Sequence, residues 1–138
     1  MSEHERLRAE AIATYERMWT DEKPDRDRLL REAETKLAEA LALSPNDVES
    51  LVHGGIVLTY RAHRAAVQER NALFRAAEEK YAQATALDPR RFDAWHNWGA
   101  LLKHRAALAS GPQRERLLQE SEEKKAKIRI PSPQAGMG

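Results

Sequence analysis

A chain of 138 residues suits one compact domain, and its 23 Lys and Arg against 22 Asp and Glu leave a net charge of +1. That balance excludes bulk attraction to nucleic acid or to an anionic membrane, while leaving room for a local basic patch. Cysteine is absent, which excludes a disulfide framework and a thiolate metal site. Alanine carries much of the apolar content and aromatics only 6% of the chain, so a core here needs helices that approach each other closely. The first residues, MSEHERLRAEA, contain no apolar stretch of the secretory kind, and no apolar run approaches the length of a membrane span. The expectation is a cytoplasmic protein without membrane insertion.

Helical periodicity dominates and strand alternation is nearly absent, so the fold class is all-α. Six helices are predicted in chain order, over 3–19, 25–43, 46–66, 70–87, 90–108 and 113–128. Pro24, Pro45, Pro89 and the pair Gly111–Pro112 fall between them as punctuation. At Ser44–Pro45 and Asp88–Pro89 one dipeptide is expected to close a helix and open the next. The residue before proline leaves the helical region, and proline suits a first helical turn. Gly54, Gly55 and Gly99 lie inside predicted helices, at about 1 kcal/mol each relative to alanine. The expected compensation is close approach of a neighbouring helix. Ala11 stands at the matching place near the start of the chain.

Residues 29–64 laid over residues 73–108 show a repeat with a period of 44. Identities include Ala33/Ala77, Glu34/Glu78, Lys36/Lys80, Ala40/Ala84, Pro45/Pro89, Gly55/Gly99, Leu58/Leu102 and Arg61/Arg105. A period in this range signals stacked supersecondary units. In the third unit Trp95, Trp98, Gly99 and Leu102 match the W-x2-L-G-x2-Y pattern, and in the second Leu51, Gly54, Gly55 and Leu58 match it more loosely. The A-x3-F-x2-A-x4-P pattern is met by Ala77, Tyr81, Ala84 and Pro89, and by Ala33, Leu37, Ala40 and Pro45. In the last unit Ser121, Lys125, Ile128 and Pro133 hold those places and the pattern has decayed.

These residues resemble the tetratricopeptide repeat. The resemblance implies a right-handed α-solenoid of three helix–turn–helix units, at about 4–47, 48–91 and 92–135. The domain would run over 1–130, with a disordered tail over 131–138. The family unit has roughly 34 residues, so each unit here carries about ten more and both its helices are expected to be longer. The last helix is expected to act as a cap, with Lys124, Lys125 and Lys127 making its outer face polar.

The resemblance also implies a concave surface lined by the first helix of each unit. Carried over position by position, its residues are Arg8, Ile12 and Tyr15, then Val52, Ile56 and Thr59, then His96, Asn97, Ala100 and Lys103. Val52 and Ile56 stand where some family members grip a C-terminal carboxylate with Lys and Asn, so a clamp of that type is not expected. The expected partner is another protein, through a peptide or an amphipathic helix. Acidic residues in it would suit the basic ends of the groove.

Other readings compete. Trp95, Trp98 and Leu102 share one helix face and read as core, as does the pair Tyr15 and Trp19. The five histidines lack metal-ligand spacing, and no nucleophile or phosphate-loop motif is present, so neither enzyme activity nor a cofactor is expected. Arg61 and Arg105 form a basic ridge if the units stack in register, which is the RNA-binding alternative. Assembly with further copies through apolar solenoid ends is the other alternative, giving a homo-oligomer.

Overall fold

The computed structural model describes residues 1–128. The predicted tail over 131–138 and Pro133 lie outside the described residues. Six α-helices are present: α1 (Glu3–Thr20), α2 (Arg26–Leu43), α3 (Val48–Arg64), α4 (Val67–Leu87), α5 (Phe92–Leu108) and α6 (Gly111–Ala126). No strand occurs among the described residues. The helices pack in adjacent pairs, α1 on α2, α3 on α4 and α5 on α6. This is the all-α, repeat-like architecture that the 44-residue period predicts.

The chain divides into two compact units, Met1–Asp88 and Pro89–Gly138. In the first unit α3 packs against α2 as well as α4, and more sparsely against α1. Only Ala65 and Ala66 link α3 to α4. A link that short between packed helices forces the chain to reverse direction.

Helix starts follow local chemistry. Ser2 caps α1 in a reciprocal box: its hydroxyl accepts from the Glu5 amide at 3.3 Å, and the Glu5 carboxylate accepts from the Ser2 amide at 3.1 Å. Asp25 caps α2 by accepting from the Arg28 amide at 3.2 Å. The two X–Pro dipeptides behave differently from expectation. Ser44 and Asp88 do close α2 and α4, donating their amides to Ala40 and Ala84 at 2.9 Å. They do not open the next helix. Pro45 and Pro89 sit in a turn ahead of it, and the N-cap positions fall to Asp47 and Arg91. The turn absorbs the residues that the reading had placed in the first helical turn.

The first unit holds a core of Ala11, Tyr15, Met18, Leu29, Leu30, Ala33, Leu37 and Val57. Alanine at the helix crossings keeps the backbones close, and the leucines fill between them. Phe74, Ala77, Tyr81 and Ala84 are the buried stripe of α4. Gly55 shows why a helix interior tolerates the residue: a Cβ built there would lie 2.5 Å from Tyr81 Cε1. Gly54 has no such constraint, its nearest neighbour being Lys80 Cγ at 3.7 Å.

The second unit is thinner. Its core is Leu102, Ala106 and Leu117, with Trp98 and Ala109 packed beside it. From α6 only Leu117 and Ser121 are buried. The Ser121 hydroxyl donates to the Gly99 carbonyl at 2.8 Å, and a Cβ on Gly99 would stand 3.4 Å from the Ser121 carbonyl oxygen. Gly111 enters α6 at φ +58°, a left-handed conformation that glycine adopts without a Cβ penalty.

Trp95 departs from expectation. It is half-buried and stacks almost parallel on Trp98, with centroids 5.6 Å apart, and its indole N–H donates to the Pro89 carbonyl at 2.9 Å. Lys124 Nζ lies 4.1 Å from the Trp98 ring centre and Lys127 Nζ 5.9 Å from that of Trp95. These lysines therefore do more than face solvent: their ammonium groups lie over the indole faces in cation–π contacts. Lys124→Ala is expected to destabilise the protein by about 0.5–1 kcal/mol and to alter tryptophan emission. Thermal melts and fluorescence of the variant check this.

Candidate partner-binding face

The residues carried over from the repeat pattern fall on α1 and α3 in the first unit and on α5 in the second. In α1, spacings of four and three place Arg8, Ile12 and Tyr15 along one stripe, which Trp19 continues. In α3 the same spacing aligns Val52, Ile56 and Thr59. Ile12 and Ile56 are half-buried against the first unit's core, and so is Tyr60. They keep apolar surface exposed on adjoining helices.

Four of the carried-over residues are engaged within the fold. Val52 is 1% exposed, so it is packing and not open surface. Tyr15 is also buried, and its phenol shares a hydrogen bond with His53 Nδ1 at 2.8 Å. Burial, helped by Glu16 and Tyr60, pushes the Tyr15 pKa up to about 12, so the phenol stays neutral. Arg8 is committed to Asp47. Its Nη1 donates to both carboxylate oxygens, at 2.9 and 2.8 Å, and ties α1 to the start of α3. The Ser50 hydroxyl donates to the same carboxylate. Burial acts to raise the Asp47 pKa, but the hydrogen bonds from Ser50 and Arg8 outweigh it and the net shift is downward. Thr59 is half-buried and donates to the Gly55 carbonyl at 2.8 Å, within its own helix.

Trp19, like Trp95, lies elsewhere than the sequence reading placed it. Expected in the core, it is 59% exposed. Its ring meets Tyr60 edge-on at 5.4 Å and Tyr15 at 6.3 Å. It stands in the last turn of α1, where the following residues turn away and leave its outer face uncovered. That position next to a helix end is the signal that could have separated it from Tyr15. Tyr60 stands four residues after Ile56, so helical spacing places it on the same face, although it is not one of the positions carried over from the repeat pattern. Together Ile12, Ile56, Tyr60 and Trp19 make an apolar strip on the α1 and α3 side of the first unit.

In the second unit His96, Ala100 and Lys103 are exposed along α5 and Asn97 is half-buried. They form a short polar strip with one methyl group in it. The basic ridge is altered by pairing. Arg61 binds Glu34, and Arg64 donates through Nε to Asp27 at 2.6 Å. Arg61 and Arg64 therefore each have a counter-charge beside them.

A cleft of about 460 Å³ lies on the other side, between α1 and α2, walled by Arg6, Glu10, Arg28, Arg31, Glu32 and Lys36 among others. The Lys36–Glu10 ion pair crosses it from α2 to α1, and Arg6 pairs with the same Glu10 along α1. It does not coincide with the apolar strip. Among the described residues no three His, Cys, Asp or Glu side chains gather as a metal would need, and no helix is long and apolar enough to cross a membrane. The sequence matches no protein-family model and no curated protein.

Proposed function

We propose that the protein is an interaction module, an adaptor or scaffold of the tetratricopeptide-like kind, which takes a partner's apolar side chains on the α1 and α3 face of its first unit. The observation that carries this reading is Trp19, mostly exposed yet held edge-on by Tyr60, beside half-buried Ile12 and Ile56. Exposed tryptophan that is already oriented costs little side-chain entropy on binding, and tryptophan dominates the energetics of many interfaces. The partner is a protein segment, a peptide or an amphipathic helix, laid against this strip. The repeat pattern and the paired helices support the reading, and family likeness alone would not, since one fold hosts many roles.

Trp19→Ala is expected to weaken partner capture by roughly 30-fold, the loss that truncating a central interface tryptophan brings. Ile56→Asp is expected to abolish it. Circular dichroism should be unchanged for both. Affinity capture from the native lysate compares the two variants with the unaltered chain. Recovery of the same proteins in the same amounts by all three would remove the α1 and α3 face from the reading.

A further inference from the structure

Ile12 and Trp19 on α1 and Ile56 and Tyr60 on α3 leave apolar surface open in the first unit. One helical turn from them, at spacings of three and four, stand Arg8, Tyr15 and Glu16 on α1 and His53, His63 and Arg64 on α3. We propose that the segment taken by this face carries an arginine, which pairs with Glu16 and packs on Trp19. The proposal rests on the partner-binding reading of the same face and adds the charge of the partner.

Five of those six side chains are engaged inside the unit. Arg8 is held by Asp47 at 2.8 Å and Arg64 by Asp27 at 2.6 Å. Tyr15 and His53 share their hydrogen bond, and His63 meets the Phe74 ring edge-on at 6.0 Å. Glu16 is exposed and makes no ion pair or side-chain hydrogen bond among the described residues. Of the three formal charges beside the strip, the two positive ones are therefore matched and the negative one is not. Two turns out, the charges on the same stripes are again acidic: Glu5, seven residues before Ile12, and Glu49, seven before Ile56. Past the end of α1, Glu22 and Lys23 are adjacent and opposite in sign. The unit as a whole agrees: Met1–Asp88 holds 13 Lys and Arg against 17 Asp and Glu, a side-chain charge of −4. A cationic segment is drawn to this unit from a distance and an acidic one is repelled.

The chemistry next to Glu16 selects arginine. Glu16 stands three residues before Trp19, so carboxylate and indole are neighbours on one helix face. Trp19 is 59% exposed, and edge contacts with Tyr60 and Tyr15 orient its ring. A guanidinium donates two parallel N–H bonds to a carboxylate and packs flat on an indole. An ammonium is a strongly hydrated point charge, so lysine fits the same pair less well. The acidic partner expected from Arg8 in the sequence loses its attraction here, because Asp47 already matches that charge.

The test uses the full chain and three designed helical peptides of about 15 residues. They share one leucine face, and their flanking positions are all arginine, all glutamine or all glutamate. Isothermal titration measures the affinities, and the Trp19 indole N–H resonance in ¹⁵N–¹H spectra reports where each peptide sits. The arginine peptide is expected to bind roughly tenfold more tightly than the glutamine peptide, and the glutamate peptide more weakly than either. Glu16→Arg, a change at an exposed position, should transfer the preference to the glutamate peptide. Glu79→Gln removes one negative charge from an exposed position of α4 and should leave the order intact, which separates a local pair from the charge of the unit. Equal affinities for the three peptides, each shifting Trp19, would overturn the arginine while leaving the α1 and α3 face standing. No saturable binding of the arginine peptide, or a preference for it that survives Glu16→Arg, would overturn the proposal too. Binding that leaves Trp19 unshifted would remove the face itself.

Discussion

Gly55→Ala is expected to lower stability by about 1–3 kcal/mol, although alanine is the better helix former. The added Cβ would lie 2.5 Å from Cε1 and 2.7 Å from Cζ of Tyr81, whose ring is 1% exposed and has no room to retreat. Helix propensity favours alanine by about 1 kcal/mol, so a net loss requires the clash to exceed that gain. The repeat supplies a control. One period earlier, Ala11 and Leu37 hold the places of Gly55 and Tyr81, and both are buried in one cluster. One period later, Gly99 faces the Lys125 stem, with Cγ 3.5 Å from its built Cβ. The small residue and its opposite number therefore share a fixed volume. Gly55→Ala combined with Tyr81→Leu recreates the first pair, and the two changes should be strongly non-additive, by about 1 kcal/mol or more. Chemical denaturation of the two single variants and the double variant measures this. Simple additivity would show that Gly55 is not there to accommodate the ring.

Asp47→Asn is expected to cost about 1–3 kcal/mol at neutral pH, and the cost should vanish in acid. The Asp47 side chain is 13% exposed, accepts both bonds from Arg8 and a third from Ser50, and joins α1 to the start of α3. An amide preserves the shape and removes the charge. Because the folded-state pKa lies below the ordinary 3.8, the unfolded chain binds its proton first as pH falls. The stabilising contribution is therefore complete above the unfolded value and is lost as pH drops through the lower, folded one. Asp27 and Asp93 also have lowered pKa values and titrate in the same acid range, but in both proteins alike. The difference in stability between the unaltered chain and Asp47→Asn isolates the one group. A difference that stays constant between pH 7 and pH 2 would mean that Arg8 contributes nothing through the charge.

The repeat pattern named Arg8 as a residue of the partner groove, and its actual commitment to Asp47 illustrates where sequence reasoning stopped. Spacing along α1 shows which stripe Arg8 shares with Ile12 and Tyr15. It says nothing about a carboxylate 39 residues later that folds back against it. Val52 has the same lesson: it aligns with Ile56 and Thr59 by spacing, yet neighbours from elsewhere in the chain enclose it completely. Trp19 errs in the opposite direction, because an apolar side chain at helical spacing is buried only if something crosses over it. Trp95 took its core place from the family pattern and ended half-exposed, since a thin α6 with lysines where leucines would stand cannot cover it.

By itself, then, the order of residues determined six helices, their pairing and the 44-residue period. Helical periodicity, caps and proline turns act over a few neighbouring residues, and a copied stretch of chain copies them. Only the tertiary structure decided which members of each stripe are covered, which charges are matched, and where α2, α3 and α4 leave a cavity between them. Burial and pairing depend on partners far away in the chain, and no local pattern of residue types records them.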